Sequence, residues 1–397
     1  MADEMSPRER MLGALNHASV DHIPLCFMIF AAMKKRSRDG YDFVERQLEM
    51  GLDATVRIPT RPLDSSMDHR DLPGLPVSFH PDVGVNEWRE ERPGEPHPVV
   101  LHKEYQTPAG TLTTEVNMTD DWPYGNHVPF FDDYLCPRSR KFLVEEREDL
   151  EALRYLLVPP SEGEVEAFKK QAEADRDFAD GHELLTTGGR GVGMDATAWL
   201  CGFRHMAISS IRQPAFVSEL VEIIHEWNCS RMKVFLDGGV DLFVKRGWYE
   251  GTDFWSPALF RKFILPYLKR EVKIAHDAGA RFGLIMTSGS MPLLEMLADA
   301  NLDVLIGVDP VQGKGTDMPE MKRRIGGRVC LWGGVNGFIT VETGTRAQVS
   351  AAVEEAVRAM GPRGFILSPV DNVREDSPKA WENIEEMIET WKRVRGI

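Results

Sequence analysis

The chain has 397 residues, of which 42% are hydrophobic and 27% are charged, values that exclude the disordered and fibrous classes. Its formal net charge of −15 disfavours phosphate backbones and anionic lipid, so we expect neither nucleic acid nor a membrane as a partner. Five scattered cysteines without a Cys-x-x-Cys pair favour a reducing, cytoplasmic location over a disulfide framework.

Short apolar runs rich in β-branched and aromatic residues alternate with longer helical patterns along the chain. Such alternation is typical of βα units around a parallel sheet. The runs number eight and cover residues 23–30, 53–58, 183–187, 241–246, 281–287, 303–308, 328–332 and 364–368. The pattern predicts an α/β fold, a (β/α)₈ TIM barrel, with residues 1–397 forming a single domain.

The βα rhythm is interrupted after the second predicted strand, over residues 62–140. Two β-like segments, 98–105 and 111–117, flank a turn at 107–110 and predict a hairpin. We expect a β-containing insertion over the C-terminal mouth of the barrel, where barrel enzymes keep their sites. A basic cluster at 34–38 precedes this region, and we interpret it as the solvated face of a helix.

Several helices carry start signals in the sequence. Ser256, Ser290 and Ser377 each stand just before a proline that suits the first helical turn, and we expect each side chain to cap its helix. Thr345 with Gln348 three residues later predicts a capping box. These signals support the alternation of strands and helices independently of hydrophobic periodicity.

Four stretches resemble the uroporphyrinogen decarboxylase superfamily when they are taken together. They are residues 6–24, 256–270 (SPALFRKFILPYLKR), 332–335 (WGGV) and 364–372 (GFILSPVDN). Their order and spacing extend the resemblance over nearly the whole chain. It implies the barrel fold and one of three activities: porphyrinogen decarboxylation, thiol methylation from methylcobalamin, or demethylation of a substrate with transfer of the methyl group to a corrinoid protein.

Two departures from the family argue against the first two activities. The decarboxylases have an arginine-rich segment after the first strand and a histidine after the last, whereas this chain has MIFAAM at 28–33 and SPVDN at 368–372. The thiol methyltransferases hold zinc through a His-x-Cys pair and a later cysteine. This chain has Met286 and Ser288 at that place and no cysteine after Cys330, so we expect no zinc there and name no metal ligand.

The resemblance therefore implies a methyltransferase that demethylates a small donor and passes the methyl group to the Co(I) of a corrinoid protein. An aryl methyl ether is the first candidate donor, since Met, Trp, Phe and Tyr near the strand ends suit a flat ring. The alternatives are a decarboxylase of a small aromatic or pyrrolic acid, using Arg190 or Arg57, and a non-catalytic barrel that chaperones a corrinoid protein or a tetrapyrrole. A homodimer remains open.

Candidate site residues follow from the carboxyl ends of the predicted strands, where barrel enzymes place their reacting groups. The catalytic candidates are three carboxylic acids that could protonate a departing oxygen, Asp309, Glu250 and Asp371. The substrate-binding candidates are Arg190, Lys245, Arg246, Trp248, Tyr249, Met286, Ser288, Trp332, Asn336 and Asn372. Since Lys245 and Arg246 are adjacent in a strand, we expect at most one of them to face the pocket.

Overall fold

A computed structural model of the chain describes residues 4–60, 71 and 77–396, except for the side chain of Arg190. The chain forms two compact units. The first comprises Met1–Leu63, Lys169–Gly191 and Phe235–Ile397, and the second comprises Asp64–Phe168 and Val192–Val234. None of the helices in the described residues is both long and apolar enough to cross a bilayer.

The strands are β1 (Thr55–Ile58), β2 (Gly84–Glu91), β3 (Val99–Thr107), β4 (Gly110–Asn117), β5 (Ser139–Lys141), β6 (Leu185–Gly191), β7 (Leu242–Arg246), β8 (Arg281–Ile285), β9 (Val304–Val308), β10 (Cys330–Asn336) and β11 (Phe365–Val370). The α-helices are α1 (Pro7–Leu15), α2 (Ala31–Lys35), α3 (Gly40–Glu49), α4 (Asp149–Leu156), α5 (Glu162–Gly181), α6 (Met194–Cys201), α7 (Phe203–Arg212), α8 (Pro214–Asp237), α9 (Pro257–Phe263), α10 (Leu265–Asp277), α11 (Leu294–Asp299), α12 (Met318–Ile325), α13 (Arg346–Met360) and α14 (Pro378–Val394). A 3₁₀ turn at Met291–Leu293 and a π-helix at Gly337–Glu342 complete the elements.

A parallel sheet of seven strands, in the order β1-β6-β7-β8-β9-β10-β11, forms the centre of the first unit. Its strands coincide with seven of the eight apolar runs, to within a few residues at each end. The α/β class and the parallel arrangement are confirmed. Helices follow the strands in sequence, as the right-handed βα connection requires.

The first predicted strand, 23–30, is the one of the eight that is wrong as a regular strand. It makes only two isolated parallel bridges, Leu25 to Leu367 and Ile29 to Asn372. The ladder between them is broken because the Met28 amide donates to the Ser368 hydroxyl (2.8 Å) instead of to a main-chain carbonyl.

The same segment also approaches the other edge of the sheet. The Leu25 carbonyl accepts from the Asp53 amide (2.9 Å), two residues before β1 begins. Asp53, just before the edge strand β1, and Leu367, within the other edge strand β11, thus hydrogen-bond to one short segment. The sheet is therefore curled.

An antiparallel sheet of four strands, β2-β3-β4-β5, lies in the second unit. The predicted hairpin is confirmed as β3 and β4, with Thr107 paired to Gly110 at the turn. The start of the expected insertion, residues 62–70 and 72–76, lies outside the described residues. Its place over the mouth of a barrel, and the single-domain assignment, stay predictions.

Most of the predicted helix starts are confirmed. Ser256 and Ser377 accept hydrogen bonds from the third helical amide of α9 and α14, and Thr345 forms a capping box with Gln348 at α13. The expected cap at Ser290 is wrong, because its side chain accepts no bond from the turn that follows and the segment begins as a 3₁₀ turn.

Candidate active site

The inner face of the parallel sheet has an apolar floor that also includes α1. It contains the buried side chains of Met11, Ala14, Leu15, Leu185, Leu242, Val304, Cys330 and Ile366. Side chains two residues apart lie on the same face of a strand. The next layer of that face, formed by Thr187, Val244, Ile306 and Trp332, borders a cavity of about 410 Å³. The cavity therefore lies on the carboxyl-terminal side of the floor.

Flat apolar side chains form much of the cavity wall. The rings of Phe27 and Phe30 are stacked, with centroids 4.2 Å apart. Trp332 is buried, and its indole N–H donates to the Cys26 carbonyl (3.0 Å), so its polar atom is already bonded. Burial raises the pKa of the neighbouring Cys26 thiol, with a further contribution from the charge of Asp53, and the thiol stays protonated. The wall suits an aromatic ring.

Three basic side chains of the described residues also border the cavity: Lys34 on α2, Arg57 on β1 and Arg246 at the end of β7. The guanidinium carbon of Arg246 lies 4.5 Å from the ring centroid of Trp248, which is a cavity residue too. Arg246 is half-buried, whereas Lys34 and Arg57 are exposed. Among the described residues that border the cavity, none is Asp or Glu. This composition favours an anionic ligand with an apolar body.

Lys245 lies on the opposite face of β7 from Arg246, as the alternation of side chains along a strand requires. Its ammonium is 2.9 Å from a carboxylate oxygen of Glu271 on α10 and 3.4 Å from one of Glu250, and all three side chains are buried. Burial by itself lowers the pKa of Lys245, but the charges of the two glutamates outweigh it and the pKa is raised. Lys245 and Glu250 thus form an ion cluster outside the cavity lining.

Asp309 is buried at the end of β9 and both of its carboxylate oxygens accept hydrogen bonds. One accepts from the amides of Val311 (2.8 Å) and Gln312 (3.0 Å), and the other accepts from the side chain of Asn336 (2.7 Å). Asn336 also accepts from the amide of Ile339 at the start of the π-helix. These contacts hold two loops together, and neither Asp309 nor Asn336 borders the cavity.

The two predicted residues after β11 do not border the cavity either. Asp371 is exposed and has a left-handed backbone conformation with φ of 66°. Asn372 accepts from the Ala31 amide (3.2 Å) through its side-chain oxygen and so satisfies a free N–H at the start of α2. A general-acid role for Asp371 or Asp309 stays a prediction.

Two further predicted substrate-binding residues are Tyr249 and Arg190. The Tyr249 ring packs edge-on against Phe254, with centroids 5.3 Å apart, and its carbonyl accepts from the indole of Trp255 (2.8 Å). Arg190 belongs to β6, but its side chain lies outside the described part of the structure.

Residues 124–394 match the family described as uroporphyrinogen decarboxylase (URO-D). The chain belongs to the URO-D family. The expected resemblance is thereby confirmed, over about two thirds of the sequence. A solved structure described as a methyltransferase from Methanosarcina mazei is similar in fold, with a TM-score of 0.60, 18% identity, and coverage of 98% of this chain and 99% of that chain.

Two curated relatives are similar over a shorter region. The chloroplastic uroporphyrinogen decarboxylase of Zea mays is 31% identical over 142 residues, which are 35% of this chain and 34% of that protein. The uroporphyrinogen decarboxylase of Cupriavidus necator is 27% identical over 146 residues, 34% of this chain and 38% of that protein. The chain thus spans little more than a third of the length of these relatives.

In this URO-D family member, the residues around Met286 and Ser288, where we expect no zinc, form a hydrogen-bond network of their own. Met286 is buried. The Ser288 hydroxyl donates to Asp253, which also pairs with Lys314. Burial raises the pKa of Asp253, but these two contacts outweigh it and the pKa is lowered. In the described parts of the chain, no three His, Cys, Asp or Glu side chains are grouped as a metal would need.

Lys34, which the URO-D fold brings to the cavity, is not among the predicted site residues. It belongs to the basic cluster at 34–38 that we interpret as a solvated helix face. The neighbouring Lys35 does lie outside the cavity lining, and its ammonium donates to the Arg374 carbonyl (2.9 Å). A signal was present, because α2 begins directly after the first apolar run, and residues that follow strand ends border barrel sites.

Proposed function

We propose that this URO-D family member is a methyltransferase that demethylates a small methylated donor and transfers the methyl group to the Co(I) of a corrinoid carried by a partner protein. An aryl methyl ether, such as a methoxylated aromatic acid, is the first candidate donor. The proposal includes a complete (β/α)₈ barrel, in which the segment around Leu25 stands for the eighth strand, and a cytoplasmic location.

One observation carries the proposal: an apolar cavity with aromatic walls and arginines at its border. A volume of about 410 Å³ is within the range of small-molecule sites. It suits the donor, while the corrinoid remains on its own protein and supplies the nucleophile that accepts the methyl group. The fold shared with the methyltransferase from Methanosarcina mazei is compatible with this function.

The residues of the cavity have distinct roles in this proposal. The aromatic walls hold the ring and exclude water from the methyl–oxygen bond. Arg246, oriented by its contact with Trp248, binds the donor carboxylate with its two-pronged guanidinium. The departing oxygen can be stabilised by a positive charge or by a proton. Because Asp309 and Glu250 are engaged outside the cavity lining, a basic side chain is the better candidate for that role.

The direct test uses the purified protein, 4-methoxybenzoate and free cobalamin reduced to Co(I), since the corrinoid protein is not identified. Formation of methylcobalamin, seen in the absorption spectrum, together with 4-hydroxybenzoate in equal amount, is the expected result. Arg246→Met should raise the KM for the donor about tenfold or more, because a charge-assisted hydrogen bond is lost. Absence of methyl transfer to Co(I) from any methoxylated aromatic acid would contradict the proposal.

A second candidate is a decarboxylase of a small aromatic or pyrrolic acid. The names of the two curated relatives and the cavity arginines, Arg57 and Arg246, favour it. Release of CO₂ from such an acid in the absence of any corrinoid would support the decarboxylase and exclude the methyltransferase as the main activity.

A further inference from the structure

The three basic residues that the structure describes at the cavity extend from different backbone positions. Arg57 is paired in register with Thr187, and Thr187 is paired with Leu242, so these three residues follow one another across three hydrogen-bonded strands. Arg246 lies four residues beyond Leu242 on β7. With a rise of about 3.3 Å per residue and two strand spacings of about 4.8 Å, the α-carbons of Arg57 and Arg246 are on the order of 16 Å apart. The backbone positions from which these two side chains extend are therefore well apart.

Lys34 belongs with Arg57 rather than with Arg246. Its ammonium lies 5.8 Å from the ring centroid of Phe43 on α3, and the Phe43 ring packs against the cluster that contains Val56 of β1. Lys34 is thus held on the β1 side of the cavity. We call Lys34 and Arg57 the outer pair, because both are exposed, and Arg246 with Trp248 the inner anchor, because both are half-buried.

We propose that the cavity recognises an aromatic ligand with two anionic oxygen groups, one at the inner anchor and one at the outer pair, and that Lys34 determines this preference. The ring lies between the two places, against Phe27, Phe30 and Trp332. A monoanion of the same shape fills the inner anchor only. The preferred ligand class is therefore an aromatic dianion.

This inference rests on the proposed function where it concerns the reaction. A methoxylated aromatic acid has one negative charge. When its methyl–oxygen bond breaks, the methyl group goes to the Co(I) nucleophile, the electron pair stays on the oxygen, and the product has a carboxylate and a phenolate. A cavity that binds the dianion better than the monoanion stabilises the charge that develops on the departing oxygen. The outer pair is exposed, and a partner can reach a methyl group there from outside.

The test measures binding and needs no corrinoid. Terephthalate is the dianionic probe, and its monomethyl ester is the monoanionic probe with the same ring. Isothermal titration at pH 8 should show that the protein binds terephthalate about ten- to a hundredfold tighter, the effect of one charge-assisted contact. Lys34→Met, which keeps side-chain length, should remove most of this preference and leave the affinity for the ester unchanged.

Lys35→Met is the matched control, because Lys35 has the same charge on the same helix and does not border the cavity. It should keep the wild-type preference. Arg57→Met is a second variant of the outer pair and should act like Lys34→Met. Equal affinities of wild type for the two probes, absence of binding at millimolar concentration, or equal losses in Lys34→Met and Lys35→Met would overturn the inference.

The outcomes separate this inference from the proposed function. A preference for terephthalate that depends on Lys34, without methyl transfer to Co(I), leaves the inference standing and removes the methyltransferase. Methyl transfer with equal binding of the two probes removes the inference and leaves the methyltransferase standing.

Discussion

The side-chain amide of Asn336 donates to a carboxylate oxygen of Asp309 across 2.7 Å, and both residues are buried. The other oxygen of Asp309 accepts two backbone amides of its own loop. Asp309 therefore connects the loops that follow β9 and β10, and its contacts are those of a structural carboxylate. A general acid, in contrast, must be protonated and must lie within hydrogen-bond distance of the substrate atom that receives the proton.

Replacing Asp309 by Asn tests this role. The new amide would place N–H groups against donors, and we expect a loss of about 1–3 kcal/mol in the free energy of unfolding, measured with denaturant. Asp317→Asn is the control, since Asn caps a helix as well as Asp does at the start of α12. If Asp309→Asn instead lowers the methyl-transfer rate about 10²- to 10⁴-fold and leaves stability unchanged, Asp309 is the general acid.

Replacement by Met should affect the two adjacent residues Lys245 and Arg246 of β7 differently: the first change should lower stability, and the second should weaken ligand binding. Lys245→Met leaves two buried glutamates without their cation, and we expect the unfolding free energy to fall by about 3–5 kcal/mol. Arg246→Met should change stability far less and should weaken the binding of aromatic carboxylates. Chemical denaturation and calorimetric titration measure the two effects. Similar stability losses in both variants would show that Arg246 has a structural role as well.

Low pH should reduce the stability of the second unit, because Glu87 becomes protonated. Burial raises the pKa of Glu87, but contacts with His127 and Lys103 outweigh it and lower the pKa from 4.5 to about 2. Because the folded-state pKa is lowered, the stability that Glu87 contributes is fully present above pH 4.5 and is lost as the pH falls toward 2. Because β2 is exposed to solvent, screening reduces the part of this shift that appears as stability.

Glu87→Gln should therefore reduce the dependence of unfolding free energy on pH between about 4.5 and 2. Glu91→Gln on the same strand is the control, since Glu91 is 71% exposed and pairs with Arg89 at the surface. Parallel pH profiles for wild type and Glu87→Gln would show that the ionisation of Glu87 does not stabilise the fold.

Purified protein should contain no stoichiometric zinc at Met286 and Ser288. Neither side chain offers the thiolate, imidazole or carboxylate that zinc prefers, and the Ser288 hydroxyl is bonded to Asp253. Elemental analysis of the protein as isolated measures this. About one zinc per chain that disappears in Ser288→Ala would contradict the prediction.

The sequence alone predicted most of the strands and helix starts, because these depend on local chemistry. Apolar runs and capping side chains such as Ser256 and Thr345 act within a few residues of themselves. The segment at 23–30 was harder, since the break in its ladder depends on Ser368, a residue far away in the chain.

The cavity itself was decided by tertiary structure. Lys34 and Lys35 are the same residue type in one short helix, and only the packing of that helix places the first at the cavity and the second on the Arg374 carbonyl. Asp309 and Arg246 both lie at strand ends, yet Asp309 is bonded to Asn336 at the end of β10, far away in the chain, whereas Arg246 packs on Trp248 two residues later. Sequence determines which groups each strand end offers, whereas the curled sheet determines which of them converge, because convergence depends on contacts between distant segments.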